Sequence, residues 1–375
     1  MPNSQSIDSL RPEIWSKELW QDVMRGMYFT ANGLMGEDDN NIICVKNDLT
    51  KNKGDAVTFG LTTRMTGAGV NGDGELEGNE EALSSFSESI LIDQKRFAVR
   101  LTGALDEQKA SYEMRKDAKN KLSIRLQEFL EMQMFLKLGG VSLTTLPDVN
   151  GVIYSADAAW SNTPAGISDT DTGSGTGLRY LCANTGGADA LAGTDLITPE
   201  LISKAKVKAI MASPKIQPLR IKGENFYVLF VHPWQAYDLK QNATFSQARR
   251  EAEVRGQDNP IFTGALGVWD GVIIKEHEFV PYLDISSTIS GVIRNFNVAG
   301  SGTIHAVDTF RALLCGRGAA SMAKVSQTKG WIEKSFDYEN KVGFATGLIG
   351  GIDKTMFNSK EYGIICLDTA ATSLV

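Results

Sequence analysis

The chain has 375 residues, 42% of them hydrophobic and 22% charged, with a net charge of −7. That balance excludes a disordered chain, which would be poor in apolar residues and highly charged. Four cysteines are too few for a disulfide scaffold, and an acidic chain lacks the basic footprint of a sequence-reading DNA binder. The densest apolar run, 226–231, is six residues against the ~20 a membrane span needs. The first fifteen residues have neither the charged start nor the apolar stretch of a signal peptide. Cys44, Cys182, Cys315 and Cys366 are far apart, without a Cys-x-x-Cys, so reduced, inert thiols are expected.

Trp15, Leu19, Trp20, Val23, Met24 and Met27 recur at helical spacing and predict a short amphipathic helix near 13–28. The stretch 33–53 reads as an extended arm. Its large apolar residues either cover a partner or dock on the chain's own domain. From 55 to 102 the pattern is that of a long hairpin. Val57, Phe59 and Leu61 alternate with small polar residues on the way out. Ile90 and Ile92, then Phe97, Val99 and Leu101, mark the return, and the change of parity between 92 and 97 predicts a kink. The tip has no core-forming pattern. It carries Asp73, Glu75, Glu77, Glu80, Glu81 and Glu88, with no Lys or Arg between Arg64 and Lys95. A long one-signed segment of this kind is functional or disordered.

The clearest helix is predicted over 104–138, capped by Thr102 and ended by Gly139 and Gly140. Its first half is charged (Lys109, Arg115, Lys116, Lys119, Lys121), and its second half is apolar from Leu122 to Leu138. One end is thus expected on a core and the other across a polar neighbour. Residues 141–198, rich in Gly, Thr, Ser and Asp, read as a surface insertion. Over 199–325 helix and strand alternate in a compact α/β lobe. A helix starts at Pro199 and stops at Pro214, a buried strand covers 226–231, and helices follow Pro233 and Phe245. Residues 310–325 read as another apolar segment, and further strands are expected near 271–274, at 342–344 and over 362–367. The last two are expected beside the long helix.

Chemical motifs do not converge. Residues 67–72 match GxGxxG, but Asp73, Glu75 and Glu77 follow where a phosphate would need a helix N-terminus. Residues 347–355 lack the Gly-Lys of a phosphate loop. His232, His277 and His305 have no zinc spacing, and His232, before Pro233, suits a structural role. Residues 169–173 lack the closing Glu of a calcium loop. No nucleophile elbow occurs. The expectation is therefore no enzyme, no cofactor and no metal.

The order of parts carries more information. Residues 15–29 (WSKELWQDVMRGMYF), 54–103, 229–240 (LFVHPWQAYDLK) and 259–279 (NPIFTGALGVWDGVIIKEHEF) resemble the major capsid proteins of tailed bacteriophages, and more closely the coliphage N-four-type coat proteins. The resemblance implies an α+β fold of the Hong Kong 97 type. It makes 1–53 an N-terminal arm, 54–101 an extended loop, 102–140 the spine helix of a peripheral domain, 199–325 an axial domain and 326–375 its returning peripheral strands. It is weakest over 141–198. It also implies hexamers and pentamers in an icosahedral virion shell made in the host cytoplasm. Portal and scaffolding or decoration proteins would be partners, with weak contact to packaged double-stranded DNA. A cellular nanocompartment shell of the same fold, or a cytosolic α/β enzyme or ligand-binding protein, are the alternatives.

A hairpin far from its core is not stable alone, and a closed symmetric shell gives each copy a neighbour. The inter-subunit candidates are Trp15 and Trp20 in the arm, and Phe59, Leu61, Phe97 and Val99 as apolar contacts. Glu75, Glu77, Glu80 and Glu81 would face Lys109, Arg115, Lys116, Lys119 and Lys121 of the next copy.

Overall fold

The computed structural model describes residues 22–46, 54–62, 65, 67, 69–81, 85–109, 114–141, 145–147, 153–155, 160, 167, 179–187, 190–253, 265–283, 307–324, 332–338 and 340–372. Trp15, Trp20 and the loop 169–173 lie outside them.

In chain order, α1 (Tyr28–Ala31) leads to β1 (Met35–Gly36), β2 (Ile43–Lys46), β3 (Ala56–Thr62), β4 (Ser85–Leu91) and β5 (Asp93–Arg100). Next come α2 (Ala104–Lys109), α3 (Met114–Gly139), β6 (Thr145–Pro147), β7 (Ile153–Ser155), β8 (Tyr180–Cys182) and α4 (Pro199–Met211). β9 (Leu219–Ile221), β10 (Glu224–Val231), α5 (Pro233–Gln241), α6 (Ala243–Glu253), β11 (Ala265–Trp269), β12 (Val272–Glu276) and β13 (Tyr282–Leu283) follow. The chain closes with β14 (Thr309–Cys315), β15 (Ala320–Lys324), β16 (Ile332–Phe336), β17 (Lys341–Lys354), β18 (Met356–Phe357), β19 (Lys360–Glu361) and β20 (Ile364–Ala370).

The larger sheet has the order β11-β12-β10-β14-β20-β8, with β9 and β13 at its sides. Its central strands are apolar and buried along most of their length because both faces are covered, with Arg311 of β14 and Asp368 of β20 as charged exceptions. Val228 and Phe230 of β10, Leu313 and Cys315 of β14, and Ile364 and Cys366 of β20 join the core shared with α3 and the arm. Their alternates Leu229, Val231, Ala312, Leu314, Ile365 and Leu367 join the core under α4 and α5. α4 begins where Thr198 Oγ1 accepts the Leu201 N–H. α5 begins in a capping box: His232 Nδ1 accepts from Trp234 and Gln235 Oε1 from the His232 N–H. The structural role expected of His232 is thus a specific one.

The second sheet is built on the 14-residue β17. β17 pairs antiparallel with β16, β5 and β15, and β15 continues in parallel to β2 and β1. α3 packs along it through Ala118, Leu122 and Phe344, with Val99 and Val342 beside them. α3 ends with Gly140 at φ 62°, where the Val141 N–H returns to the Leu136 carbonyl. A side chain would resist that left-handed turn.

Several expectations change. The hairpin ladder is β3–β4 only: the chain breaks at Ile92, the expected kink, and β5 leaves to pair with β17 over 343–350. The return arm is apolar from Phe97 onward because there it is part of the body. The 33–53 arm docks over its described part, with Phe29, Leu34, Ile42 and Ile43 buried in the main core. Parts of 141–198 are interior, not surface: Trp160, Ile167, Arg179, Leu191 and β8 are buried. The expected boundary between 325 and 326 does not separate the sheets, because β15 joins β17 while β20 returns to the larger sheet. β17 does lie beside the long helix; β20 lies in register with β14. The helix is described as two pieces, α2 and α3, with 110–113 outside the described residues.

Candidate inter-subunit surface

The β3–β4 ribbon has two distinct halves. Its root rests on the body, where Val57, Phe59 and Ile90 pack on Ala323 and Ile92. Lys46 Nζ lies 4.6 Å over the Phe59 ring and donates to the Thr58 carbonyl at 3.2 Å. The tip closes its own turns. Every residue from 71 to 80 is exposed. The Gly67 N–H donates to Glu81 Oε2 at 2.5 Å, the Gly78 N–H to Glu80 Oε2 at 2.7 Å, and Asn79 Nδ2 to the Glu75 carbonyl at 3.0 Å. A carboxylate thus sits on the first amide of the GxGxxG stretch, where a phosphate would need to sit.

These bonds divide the acidic candidates. Glu80 and Glu81 brace the turns of their own loop. Asp73, Glu75 and Glu77 point their charge outward in the same exposed stretch. Two apolar side chains missed in the sequence stand among them, Met65 and Leu76, both more than 60% exposed. A lone apolar residue in a Gly- and Glu-rich loop was their only signal. Glu88, counted with the tip, lies instead in β4 at the root, where its Oε2 accepts the Met356 N–H at 2.7 Å.

The basic half of the spine presents Lys109, Lys116 and Lys121 to solvent, with Lys119 half-buried; the Arg115 side chain lies outside the described atoms. The second half is buried almost completely from Leu126 to Val141. The helix therefore has the two ends the sequence implied.

The apolar candidates are spent differently from the expectation. Phe59 is buried at the ribbon root and Phe97 stacks edge-on to Phe129 of α3 at 5.5 Å. Val99 is packed beside Phe344. All three hold the chain to itself. Leu61 is half-buried on the ribbon. Acidic tip and basic helix half are thus present on one chain, and no ion pair between them is formed among the described residues.

Two pairs of buried charges tie parts of the described interior together. Arg311 Nε and Nη2 donate to both Asp368 oxygens at 2.8 and 2.7 Å, and its Nη1 to the Gly139 carbonyl at the end of α3. The Tyr180 hydroxyl donates to Asp368 at 3.0 Å, and burial with the adjacent carboxylate pushes that phenol far up. Lys354 and Glu361 form a second buried pair at 3.0 Å. The arm is held by the Tyr28 N–H on Glu131, with His277 stacked on Phe135 at 4.5 Å. Burial pushes the Cys182 and Cys366 thiols up to about 12, so neither is a ready nucleophile. Among the described residues no group of His, Cys, Asp or Glu could hold a metal, and no helix is long and apolar enough to cross a membrane.

The chain matches the profile of a family described as phage capsid protein over residues 3–373. It is 29% identical to the major capsid protein of Pseudomonas phage KPP25, across 98% of this chain and 97% of that protein. Among solved structures, the capsid of Ralstonia phage GP4 aligns over 100% of both chains, with TM-score 0.76 and 25% identity. The Cyanophage Pam1 capsid aligns over 99% of both, with TM-score 0.69 and 22% identity.

Proposed function

The chain belongs to the phage capsid protein family, and from that membership we propose how it builds a shell. It is a structural protein of the virion with the Hong Kong 97-type capsid fold. Copies assemble as hexamers and pentamers into an icosahedral shell around the double-stranded DNA of a tailed phage, after synthesis in the bacterial cytoplasm. The observation that carries this reading is a ribbon tip that is exposed from 71 to 80 on a chain matching the family from end to end.

The tip of one copy lies over the basic half of the spine helix of the next. Asp73, Glu75 and Glu77 meet Lys109, Lys116 and Lys121, with Lys119 and Arg115 flanking. An exposed ion pair contributes only about 0–1 kcal/mol, whereas burying a Leu or Met side chain contributes about 1.5–3 kcal/mol. Charge therefore sets the register, and Leu61, Met65 and Leu76 hold the joint. A portal protein, and scaffolding or decoration proteins, complete the particle. The shell carries no catalytic function. Its contact with DNA is weak, because a net negative subunit releases few counterions from phosphate, and the basic side chains that do make it leave it salt-sensitive.

Electron microscopy of the expressed full-length chain tests this directly. Shells, tubes or ring-shaped capsomers are expected. A homogeneous monomer at high concentration, seen also as a single small species in size exclusion, would overturn the assembly reading.

A further inference from the structure

The ribbon is anchored on one side of a single break. Beyond Ile92, β5 is fixed to β17 through an eight-position register. Before it, the β3–β4 ladder leans on the corner between β17 and β18. Ile92 itself is bonded back to Asp55 at 2.9 Å, so the two arms of the ribbon enter and leave together. Three contacts hold the root down: the Val57, Phe59 and Ile90 cluster, Lys46 on Thr58, and Glu88 on the Met356 N–H. The carboxyl group of Glu88 is the only titratable side chain among these three that changes charge near neutral pH.

The cation that faces Glu88 from β17 is already engaged by another carboxylate. From β17, Asp353 and Lys354 face it. Lys354 is engaged by Glu361 of β19 at 3.0 Å. Lys137, fully buried in the last turn of α3, faces Asp353. From β3 the residue opposite is Phe59, with Lys46 of β2 already over that ring. Lys137 and Lys354 balance Asp353 and Glu361, so an ionised Glu88 adds one uncompensated negative charge to a half-buried corner. A neutral one adds none.

We propose that Glu88 is a proton-operated latch of the ribbon: as the neutral acid it lets the root lie closed on the β17–β18 corner, and as the carboxylate it loosens that contact about the hinge at Ile92. The latch is a property of the single chain and stands whatever the tip touches. Burial first, then Asp353, raise Glu88 from the ordinary 4.5 to about 7, against the lowering by the Met356 N–H and Lys354. A carboxyl raised in the docked state binds more protons there than when released. Docking is therefore strongest below the released value and weakens as pH climbs through the docked value. With these two values the docked population falls about tenfold relative to the open one between pH 6 and pH 8.

Hydrogen exchange on the full-length, unassembled chain reads this at the Met356 amide, once rates are corrected for the intrinsic pH dependence of exchange. Protection of Met356 is expected to be about tenfold lower at pH 8 than at pH 6. The neighbouring Thr355 amide, bonded to the Ala319 carbonyl at 3.1 Å, should hold constant and serve as the internal reference. Glu88→Gln, which keeps the acceptor and cannot ionise, should give protection that is flat across this range. Asp353→Asn should move the wild-type midpoint to lower pH, and decides the matter if the glutamine variant fails to fold. A flat wild-type profile, a slope that survives in Glu88→Gln, or a midpoint unmoved by Asp353→Asn would each overturn the latch.

Discussion

Replacing Asp73, Glu75 and Glu77 together by lysine is expected to abolish shell formation while leaving the subunit folded. The three side chains are exposed and lie in a stretch whose backbone turns are closed by other residues. The triple change alters the tip by six charge units and places it against Lys109, Lys116 and Lys121. At contact distances like charges repel by as much as opposite charges attract, and several such pairs acting together cost a few kcal/mol. Glu80 and Glu81 are left alone because they accept the Gly78 and Gly67 amides, so their reversal would disturb the loop as well as the joint. The comparison to make is sedimentation and microscopy for assembly, with circular dichroism and melting of the unassembled subunit for fold. Reversing Lys109, Lys116 and Lys121 to glutamate in the same chain should restore shells. Normal assembly of the acidic-to-lysine triple variant would remove the proposed pairing and leave the family assignment untouched.

Asp368→Ala is expected to cost about 3–5 kcal/mol, enough to leave much of the chain unfolded at growth temperature. Asp368 is buried and receives Arg311 by two bonds and Tyr180 by a third. Its removal strands a guanidinium that is entirely inside the protein. Arg311 also donates to the Gly139 carbonyl, so the same group fastens the end of the spine helix to the larger sheet. The loss should thus be seen both as a lower urea midpoint and as earlier exchange of the last turn of α3. Replacing the pair together, Arg311→Met with Asp368→Leu, should recover most of the stability, because a well-packed apolar pair carries no desolvation cost. A midpoint for Asp368→Ala within error of the wild type would show that the pair contributes nothing net.

Local order was legible in the sequence wherever a local cause set it. Thr198 before Pro199 and His232 before Pro233 mark the helix starts that the capping bonds confirm. The apolar run 226–231 is a central strand because only a sheet covered on both faces tolerates such a run. The contrast between the charged and apolar halves of the spine helix survives as exposure at one end and burial at the other. The parity change near Ile92 is a real break.

What lay beyond the sequence was pairing between distant segments. Nothing local distinguishes a β5 that returns along the hairpin from one that leaves it for β17, since both bury alternate residues. For the same reason Phe59, Phe97 and Val99 read as free contacts while their partners, Ala323, Phe129 and Phe344, lie some 30 to 260 positions away. Glu88 looked like one more tip acid until the fold brought Met356 against it, 268 positions along the chain. The sequence by itself thus pointed to the family through the resemblance of its segments, and it determined the element types and the sign of each surface, because composition, period and capping are short-range physics. Only the tertiary structure decided which charges are buried in balance, which brace a loop and which remain exposed, because burial and counterions are set by neighbours that no sequence window contains.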